Sequence, residues 1–509
     1  MNPESLQVIV QAGGRGSRLR HHTWNKPKCL VSVHGKTLLN HLFDRFPQAR
    51  FWVIGDYAFD QLVTYHQINP PAVDCHFLRA RGKGTMAGIA DAVSQLDPER
   101  PLLLVWADLI IGSIPNWPTE TCPVLFTTSA FTCRWSATPE QGLQEIPSGQ
   151  NGVAGLFYFP QAKLLPCPPE SGEFVRWFAA TCSDYALLRC DTLEELGEFA
   201  VIEQNNDRAG FCRFFNKVEM MDDRVVKTVV DDRFVELHQK EVAWYQKARE
   251  LGFQRIPKIY SESPLIMEKI HGAHAWQMDD LTARERRSVL TDYLDALDSL
   301  HQTMSKPADS DDLQEVYLQK TIQRVQSIEP IIAARKQDTI IVNGKKCRNP
   351  FVSRHAGLFT QILSKLQTDR FVPIHGDATF SNTLIDNRLR VWFIDPRGYF
   401  AKPGIMGDPW YDFAKVYYSA VGGYDLFNRR KFKLYVDDQT AEVLMNEPLF
   451  AKEAQQIFAE RFGEEMARID ILHGLIWLSL SGYVKDDIDS MIGAFHFGLY
   501  WLETGIAHL

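Results

Sequence analysis

Gly13, Gly14 and Gly16 interleave with Arg15 and Arg18, and Lys26-Pro27-Lys28 follows; all of this comes directly after the apolar residues Leu6, Val8, Ile9 and Val10. Backbone N–H groups with no Cβ in the way close readily on an anion, and four cations supply charge for several phosphates. The stretch Gln11-Ala12-Gly13-Gly14-Arg15-Gly16-Ser17-Arg18 therefore reads as a phosphate-holding loop. A plain strand-to-helix turn also favours glycine, but glycines, basic residues and flanking strand all agree on the first reading. Spacing excludes two familiar phosphate loops. Leu30 stands where a Walker loop ending in Gly35-Lys36-Thr37 needs glycine, and Gly14-Arg15-Gly16 lacks the third glycine of the dinucleotide fingerprint. Asp108 ends the apolar run 101–107. A carboxylate at the carboxyl end of a parallel strand points into the ligand crevice and suits Mg²⁺; the alternative is a turn cap. Lys227 lies among valines, and Glu241 shares a helix face with Leu237, Trp244, Tyr245 and Ala248. A carboxylate on a packed face needs a cation, which Lys227 would supply unless it is an edge lysine facing water.

These residues need elements to hold them. Residues 37–46 read as a helix, 51–55 as a strand, 58–65 as a helix, and 82–89 as the start of a helix running to about Leu96. Strands and helices alternating at this pitch give an α/β unit, a Rossmann-like parallel sheet with helices on both faces. The polar run 203–210 marks a boundary, giving domains 1–205 and 212–509. The second would have a lobe at about 212–272, with a hairpin across Asp222-Asp223 and a helix over 234–251. A helical lobe at about 273–509 would follow, with helices near 281–303, 312–335 and 355–367 and a hairpin at Asn343-Gly344.

The run Gly13-Gly14-x-Gly-Ser-Arg-Leu, with Lys26-Pro27-Lys28 and Leu30-Val31, resembles the signature of the sugar-phosphate and phosphocholine nucleotidylyltransferases. That resemblance implies that Ala12, Gly13, Gly14 and Gly16 wrap an NTP, that Arg18 and Lys28 are catalytic cations, and that Gly84-Thr85 approaches the base. Asp191 in Asp191-Thr192-Leu193-Glu194 resembles the stretch holding the second metal ligand beside Asp108, though the family's glycine and proline are absent; the alternative is that Asp191 simply begins a following helix. Glu145-Ile146-Pro147 and Ala154-Gly155-Leu156-Phe157-Tyr158 resemble the sugar-binding segments, which makes Glu145 and Gly155 substrate contacts. Ile146 replaces the family's phosphate-binding lysine, so either Arg176 or another cation acts or the acceptor is not a standard sugar phosphate.

His375-Gly376-Asp377 with Asn382, then Asp395 after Val391-Trp392-Phe393-Ile394, resembles the aminoglycoside phosphotransferase and choline kinase family over roughly 212–509. The fold implied is a protein-kinase-like α+β domain. Asp377 would accept the proton of the attacking hydroxyl, Asn382 and Asp395 would hold Mg²⁺, and Lys227 with Glu241 would position ATP phosphates. In Asp408-Pro409-Trp410-Tyr411-Asp412 the second acid would brace the catalytic loop. Met221-Asp222-Asp223 stands where the family has a glycine-rich lid.

The 509 residues suffice for two or three domains, and 45% apolar content is that of a folded protein. A net charge of −8 argues against nucleic acid as partner. Nine scattered cysteines without a Cys-x-x-Cys pair point to reduced thiols. No run approaches the ~18 apolar residues of a membrane span, and Met1-Asn2-Pro3-Glu4-Ser5 lacks a signal peptide's features, so a cytoplasmic location is expected. The expected function is bifunctional: ATP-dependent phosphorylation of a small hydroxyl compound, a sugar being favoured, then transfer of a nucleotidyl group from a second NTP. The product would feed surface glycan such as capsule polysaccharide. Alternatives are a choline or ethanolamine kinase joined to a CTP-dependent cytidylyltransferase, one active half with a nucleotide-binding scaffold, and a non-catalytic nucleotide sensor. The sequence names neither base, acceptor nor oligomeric state.

Overall fold

The structure, a computed structural model, describes residues 6–114, 117–208, 216–355 and 357–507. The first five residues, Cys212 and the expected start of the second domain lie outside these. The chain forms two compact units, Met1–Arg208 with Lys485–Asp489, and Ala209–Val484 with Ser490–Leu509.

In the first unit β1 (Gln7–Gln11), β2 (Arg50–Gly55), β3 (Asp74–Arg79) and β4 (Leu102–Trp106) are parallel, in the spatial order β4-β1-β2-β3. Val8, Ile9 and Val10 are wholly buried, as a central strand covered on both faces demands. The chain order reverses between β1 and β4, so the loops leaving these strands open the crevice where such sheets take ligands. Gln11 and Trp106 are paired in register at that edge. β5 (Leu109–Ile111) follows at once, and β6 (Val124–Thr128), β7 (Gly152–Phe159) and β8 (Ala186–Arg189) extend the sheet. β9 (Leu193–Glu195) pairs antiparallel with β5.

Helix α1 (Leu38–Arg45) is capped by the Thr37 hydroxyl, which accepts from the Asn40 N–H at 3.2 Å. α2 (Phe59–Ile68) follows β2, and α3 (Ile89–Val93) is shorter than the helix expected from residue 82 to Leu96. Gly82, Gly84 and Gly88 all have positive φ, so the stretch before α3 is a chain of turns. α4 (Phe174–Thr181) and α5 (Phe199–Arg208) complete the unit. The polar run 203–210 read as a boundary is in large part the end of α5, where Ile202 and Asn206 are buried against the first unit.

In the second unit β10 (Asn216–Met220), β11 (Arg224–Val229), β12 (Ile259–Glu262) and β13 (Leu265–Glu268) form an antiparallel sheet ordered β10-β11-β13-β12, with α6 (Val235–Glu250) after β11. A tight turn replaces any glycine lid: the Met221 N–H donates to the Arg224 carbonyl at 2.8 Å. α7 (Ala283–His301) begins with a capping box of Thr282 and Glu285. The helix expected over 312–335 is broken into Ser310–Gln314, a π-helical turn Glu315–Gln319, α8 (Lys320–Ile328) and a 3₁₀ turn containing Pro330. Asn343 and Gly344, both at positive φ, turn the hairpin Thr339–Val342/Lys345–Arg348. β14 (Thr383–Asp386) and β15 (Val391–Phe393) flank the loop acids, and α9 (Pro409–Ala420) and α10 (Met466–Ser481) stand behind them. Within this unit one apolar core runs from Trp244 and Tyr245 on α6 through Tyr293 to Phe393 and Tyr417. No helix among the described residues is long and apolar enough to cross a membrane, and the eight described cysteines are free.

Candidate active sites

In the first unit the glycine loop leaves β1 and Asp108 lies just beyond β4, so the sheet register itself brings them together. They border a cavity of about 1230 Å³ lined also by Ala12, Gly13, Gly14, Gly16, Arg18, Lys28, Gly84 and Thr85. Gly16 is left-handed at φ 67°, and a Cβ there would press on Lys28 at 3.1 Å. A Cβ on Gly84 would strike the Gly172 carbonyl at 2.3 Å. Glycine at these positions lets backbone line the cavity. The Thr85 hydroxyl accepts from the Phe174 N–H at 2.7 Å, fixing the second wall. Lys28 is hydrogen-bonded to Asp108 through one carboxylate oxygen. The other, Oδ1, is buried with no hydrogen-bond partner, as expected of an oxygen waiting for a cation.

The second acid beside Asp108 is not the expected one. Asp191 does not line the cavity: its carboxylate accepts from the Ser129 N–H at 2.7 Å and pairs with Arg189 at 2.8 Å. Hydrogen bonds from Arg189 and Ser129 hold its pKa down at about 2. The residue following it starts no helix; β9 ends at Glu195, which lies on the cavity wall with Lys28 and Arg18. Burial, then the charge of Asp108, pushes the Glu195 pKa up despite Lys28 and Arg18. Asp108 and Glu195 are the cavity acids beside Lys28 whose charge could hold Mg²⁺.

Four other expectations shift. Lys26 points away from the cavity, its ammonium buried between Asp487 and Asp489, the latter at 2.8 Å. Arg15 stacks over Tyr57. Glu145 is not among the residues lining the cavity, and its carboxylate pairs with Arg134 and with Arg176 at 2.6 Å. Gly155 supports the site rather than touching its occupant: at φ 79°, its missing Cβ is where the Trp106 ring packs, 2.3 Å away, and Trp106 lines the cavity.

In the second unit Lys227 on β11 is bonded to Glu241 on α6 at 2.7 and 2.9 Å and to Asp395 at 2.7 Å. Burial disfavours its charge, but Asp395 and then Glu241 more than offset this and hold the ammonium firmly protonated. Asp395 follows β15 at a left-handed φ of 52°, backbone strain of the kind kept at functional positions. Asn382 donates its amide to both the carboxylate and the carbonyl of Asp377 at 2.9 Å, so its side-chain oxygen is the atom that could meet a metal. Lys415 on α9 pairs with Asp377 at 2.9 Å. The loop is braced by buried Asp412, which accepts from the His375 and Gly376 N–H groups at 2.8 Å and pairs with His301. Asp377 and Asn382 border a cavity of about 400 Å³ that is also lined by Lys320 and Arg324 of α8 and by Arg397. Lys415 was visible in the sequence beside Asp412; the α8 pair carried no signal beyond a helix pattern.

Residues 8–113 match the MobA-like NTP transferase domain and residues 201–442 the APH phosphotransferase enzyme family. A 2-aminoethylphosphonate cytidylyltransferase of Lancefieldella rimae is 25% identical over 177 residues, 32% of this chain and 72% of that protein. A UTP–glucose-1-phosphate uridylyltransferase, AglF of Haloferax volcanii, is 50% identical over 40 residues, 8% of this chain, and the chain spans only 16% of that relative. Among solved structures, HddC of Yersinia pseudotuberculosis is 15% identical over 38% of this chain and 94% of its own, at a TM-score of 0.32. The CTP:phosphocholine cytidylyltransferase LicC of Streptococcus pneumoniae is 16% identical over 39% and 96%, also at 0.32. The chain is a fusion that carries a MobA-like nucleotidyltransferase domain followed by an APH-type phosphotransferase domain.

Proposed function

We propose that the second unit phosphorylates the hydroxyl of a small molecule with ATP and that the first unit joins the new phosphate to a nucleotidyl group. The reading rests on one observation above others: each unit has its own cavity bordered by a carboxylate that is bonded to a lysine, Asp108 with Lys28 and Asp377 with Lys415. In the kinase step Asp377 orients the hydroxyl and takes its proton while the oxygen bonds to the γ-phosphorus and the bridge to ADP breaks. Lys227, fixed by Glu241, meets the ATP phosphates. In the second step the phosphate is already ionised and needs no base. Its oxygen attacks the α-phosphorus of the NTP, pyrophosphate leaves, and Arg18 and Lys28 neutralise the charge that develops.

Mg²⁺ would be held by Asp108 and Glu195 in one unit and by Asn382 and Asp395 in the other, where it supplies charge neutralisation on phosphate oxygens. ATP and NTP supply place these reactions in the cytoplasm, and the nucleotide-linked product is of the kind consumed in surface glycan or lipid-headgroup assembly. CTP is the better second nucleotide than a sugar enzyme's UTP. The relative matched over most of its length is a cytidylyltransferase. The test is to supply ATP with each NTP in turn and a panel of alcohols, following ADP and pyrophosphate. Pyrophosphate appearing only after ADP, and with one NTP, is expected. ADP without pyrophosphate from any NTP overturns the coupled reading.

A further inference from the structure

The cavity of about 400 Å³ beside Asp377 is not lined by Lys227, Glu241 or Asp395, the groups that would meet ATP. It is the space left for the molecule being phosphorylated. Its charge is lopsided. Lys320, Arg324, Arg397 and Lys415 all border it, and Asp377 is the one carboxylate among the bordering residues. Asp377 is already matched by Lys415. Arg324 donates to the Ser479 hydroxyl at 2.8 Å and Arg397 to the Tyr411 hydroxyl at 2.8 Å, both neutral acceptors. Among the described residues, Lys320, Arg324 and Arg397 have no ion pair with any carboxylate.

Three of the tyrosines around the cavity, whose faces would otherwise suit a quaternary ammonium, already carry a cation. Arg397 lies 4.5 Å over the Tyr399 ring, Lys415 5.1 Å over Tyr418, and Arg324 5.2 Å over Tyr483. A ligand cation entering here would meet like charge on the faces it needs. We infer that the acceptor of the kinase unit is an anion: a small alcohol bearing a carboxylate, phosphate or phosphonate. Its charged end sits against Lys320 and Arg324 while its hydroxyl reaches Asp377.

Independent features agree. Lys320 is partly buried with three neighbouring cations, Arg397, Arg324 and Lys415, outweighing the single acid Glu315. Such crowding of like charge is costly in an empty pocket and is relieved when an anion enters. Lys320 also begins α8 immediately after the π-helical turn Glu315–Gln319, a local distortion that is frequent where a helix must aim a functional side chain.

The inference rests on the kinase reading for the identity of the site, and two measurements keep their failures apart. The first offers ATP and Mg²⁺ with matched three- and four-carbon alcohols that are neutral, cationic (choline, ethanolamine), carboxylated or phosphorylated, and follows ADP. Turnover confined to the anionic members is expected, and a choline or glycerol turned over as efficiently overturns the inference. The second titrates sulfate and tetramethylammonium by calorimetry into the full chain with Mg²⁺ and a non-hydrolysable ATP analogue. Sulfate is expected to bind in the millimolar range or better and to weaken at least about tenfold in Lys320→Gln/Arg324→Gln, with Lys320→Arg retaining it. Tetramethylammonium binding, sulfate binding unchanged by the double substitution, or no sulfate binding overturns the inference. If no alcohol yields ADP, the kinase reading fails while the sulfate titration still decides the charge of the pocket.

Discussion

At the scale of single residues, Asp191 and Glu195 show where a pattern misleads. Asp191 stood in the right motif, yet Ser129 and Arg189 occupy its oxygens, whereas Glu195 on the next strand keeps company with Asp108 and Lys28. Glu195→Gln should therefore lower the rate of pyrophosphate release by about 10²–10³-fold, as loss of a charged group at the reacting centre does. Asp191→Asn should cost less than tenfold; steady-state assays with Mg²⁺ separate the two. Lys320 gives a second prediction. Burial, then Arg397, Arg324 and Lys415, lower its pKa to about 6, against the pull of Glu315. Only the protonated form attracts an anion, and the bound anion raises the pKa further. Sulfate affinity should thus climb as pH falls from 8 towards 6 and level off below about 6, and Lys320→Gln should flatten the profile. Sulfate remains dianionic throughout, so the difference between the profiles of the unsubstituted chain and Lys320→Gln reads the lysine. Asp108 and Asp395 stood out in the sequence because each follows an apolar strand, and Asp377 and Asn382 because of their spacing of five. The α8 cations were not, since a helix of mixed polar residues does not say which face lines a cavity.

At the scale of elements, the sequence revealed alternation but not interruption. The helices after β1 and β2 were legible from periodicity. The break of 312–335 into a π turn and α8 was not, because its apolar spacing continues across the break while the backbone changes hydrogen-bond register at Glu315–Gln319. β7 makes a similar point. Its register against β6 slips between Val153 and Phe157, and Gly155 sits in that slip at φ 79°, with the Trp106 ring occupying the place of a side chain. Gly155→Ala must strain the backbone and push a cavity-lining ring, so it should destabilise the first unit by roughly 2–5 kcal/mol. Denaturant unfolding followed by tryptophan fluorescence measures that cost. A change within about 0.5 kcal/mol, as for an ordinary surface position, would show that the bulge is not fixed by this packing.

At the scale of the molecule, the first unit includes five residues from near the far end of the chain, Lys485–Asp489. Local sequence could not disclose this, because Lys26 and its partners are separated by 461 residues in the Asp487 bond. Lys26 is buried, and Asp487 and Asp489 are its compensation. Replacing both by alanine should cost about 3–5 kcal/mol in thermal or chemical unfolding, and adding Lys26→Met should recover most of it, since an apolar side chain needs no counter-ion. The same covalent linkage of two chemistries makes the last prediction. If the kinase product is the substrate of the first unit, Asp377→Asn must abolish pyrophosphate release from an unphosphorylated alcohol yet leave it intact when the phosphorylated alcohol is supplied. Asp108→Asn must do the reverse, forming ADP and stalling at the phosphate. Each loss should be on the order of 10²–10⁴-fold for the affected step. Mixing the two variants should then restore nucleotide-linked product by way of free intermediate, with a lag that shortens as the Asp108→Asn partner is increased. A mixture that stays silent while each variant keeps its own half-reaction would mean that the two units do not share an intermediate.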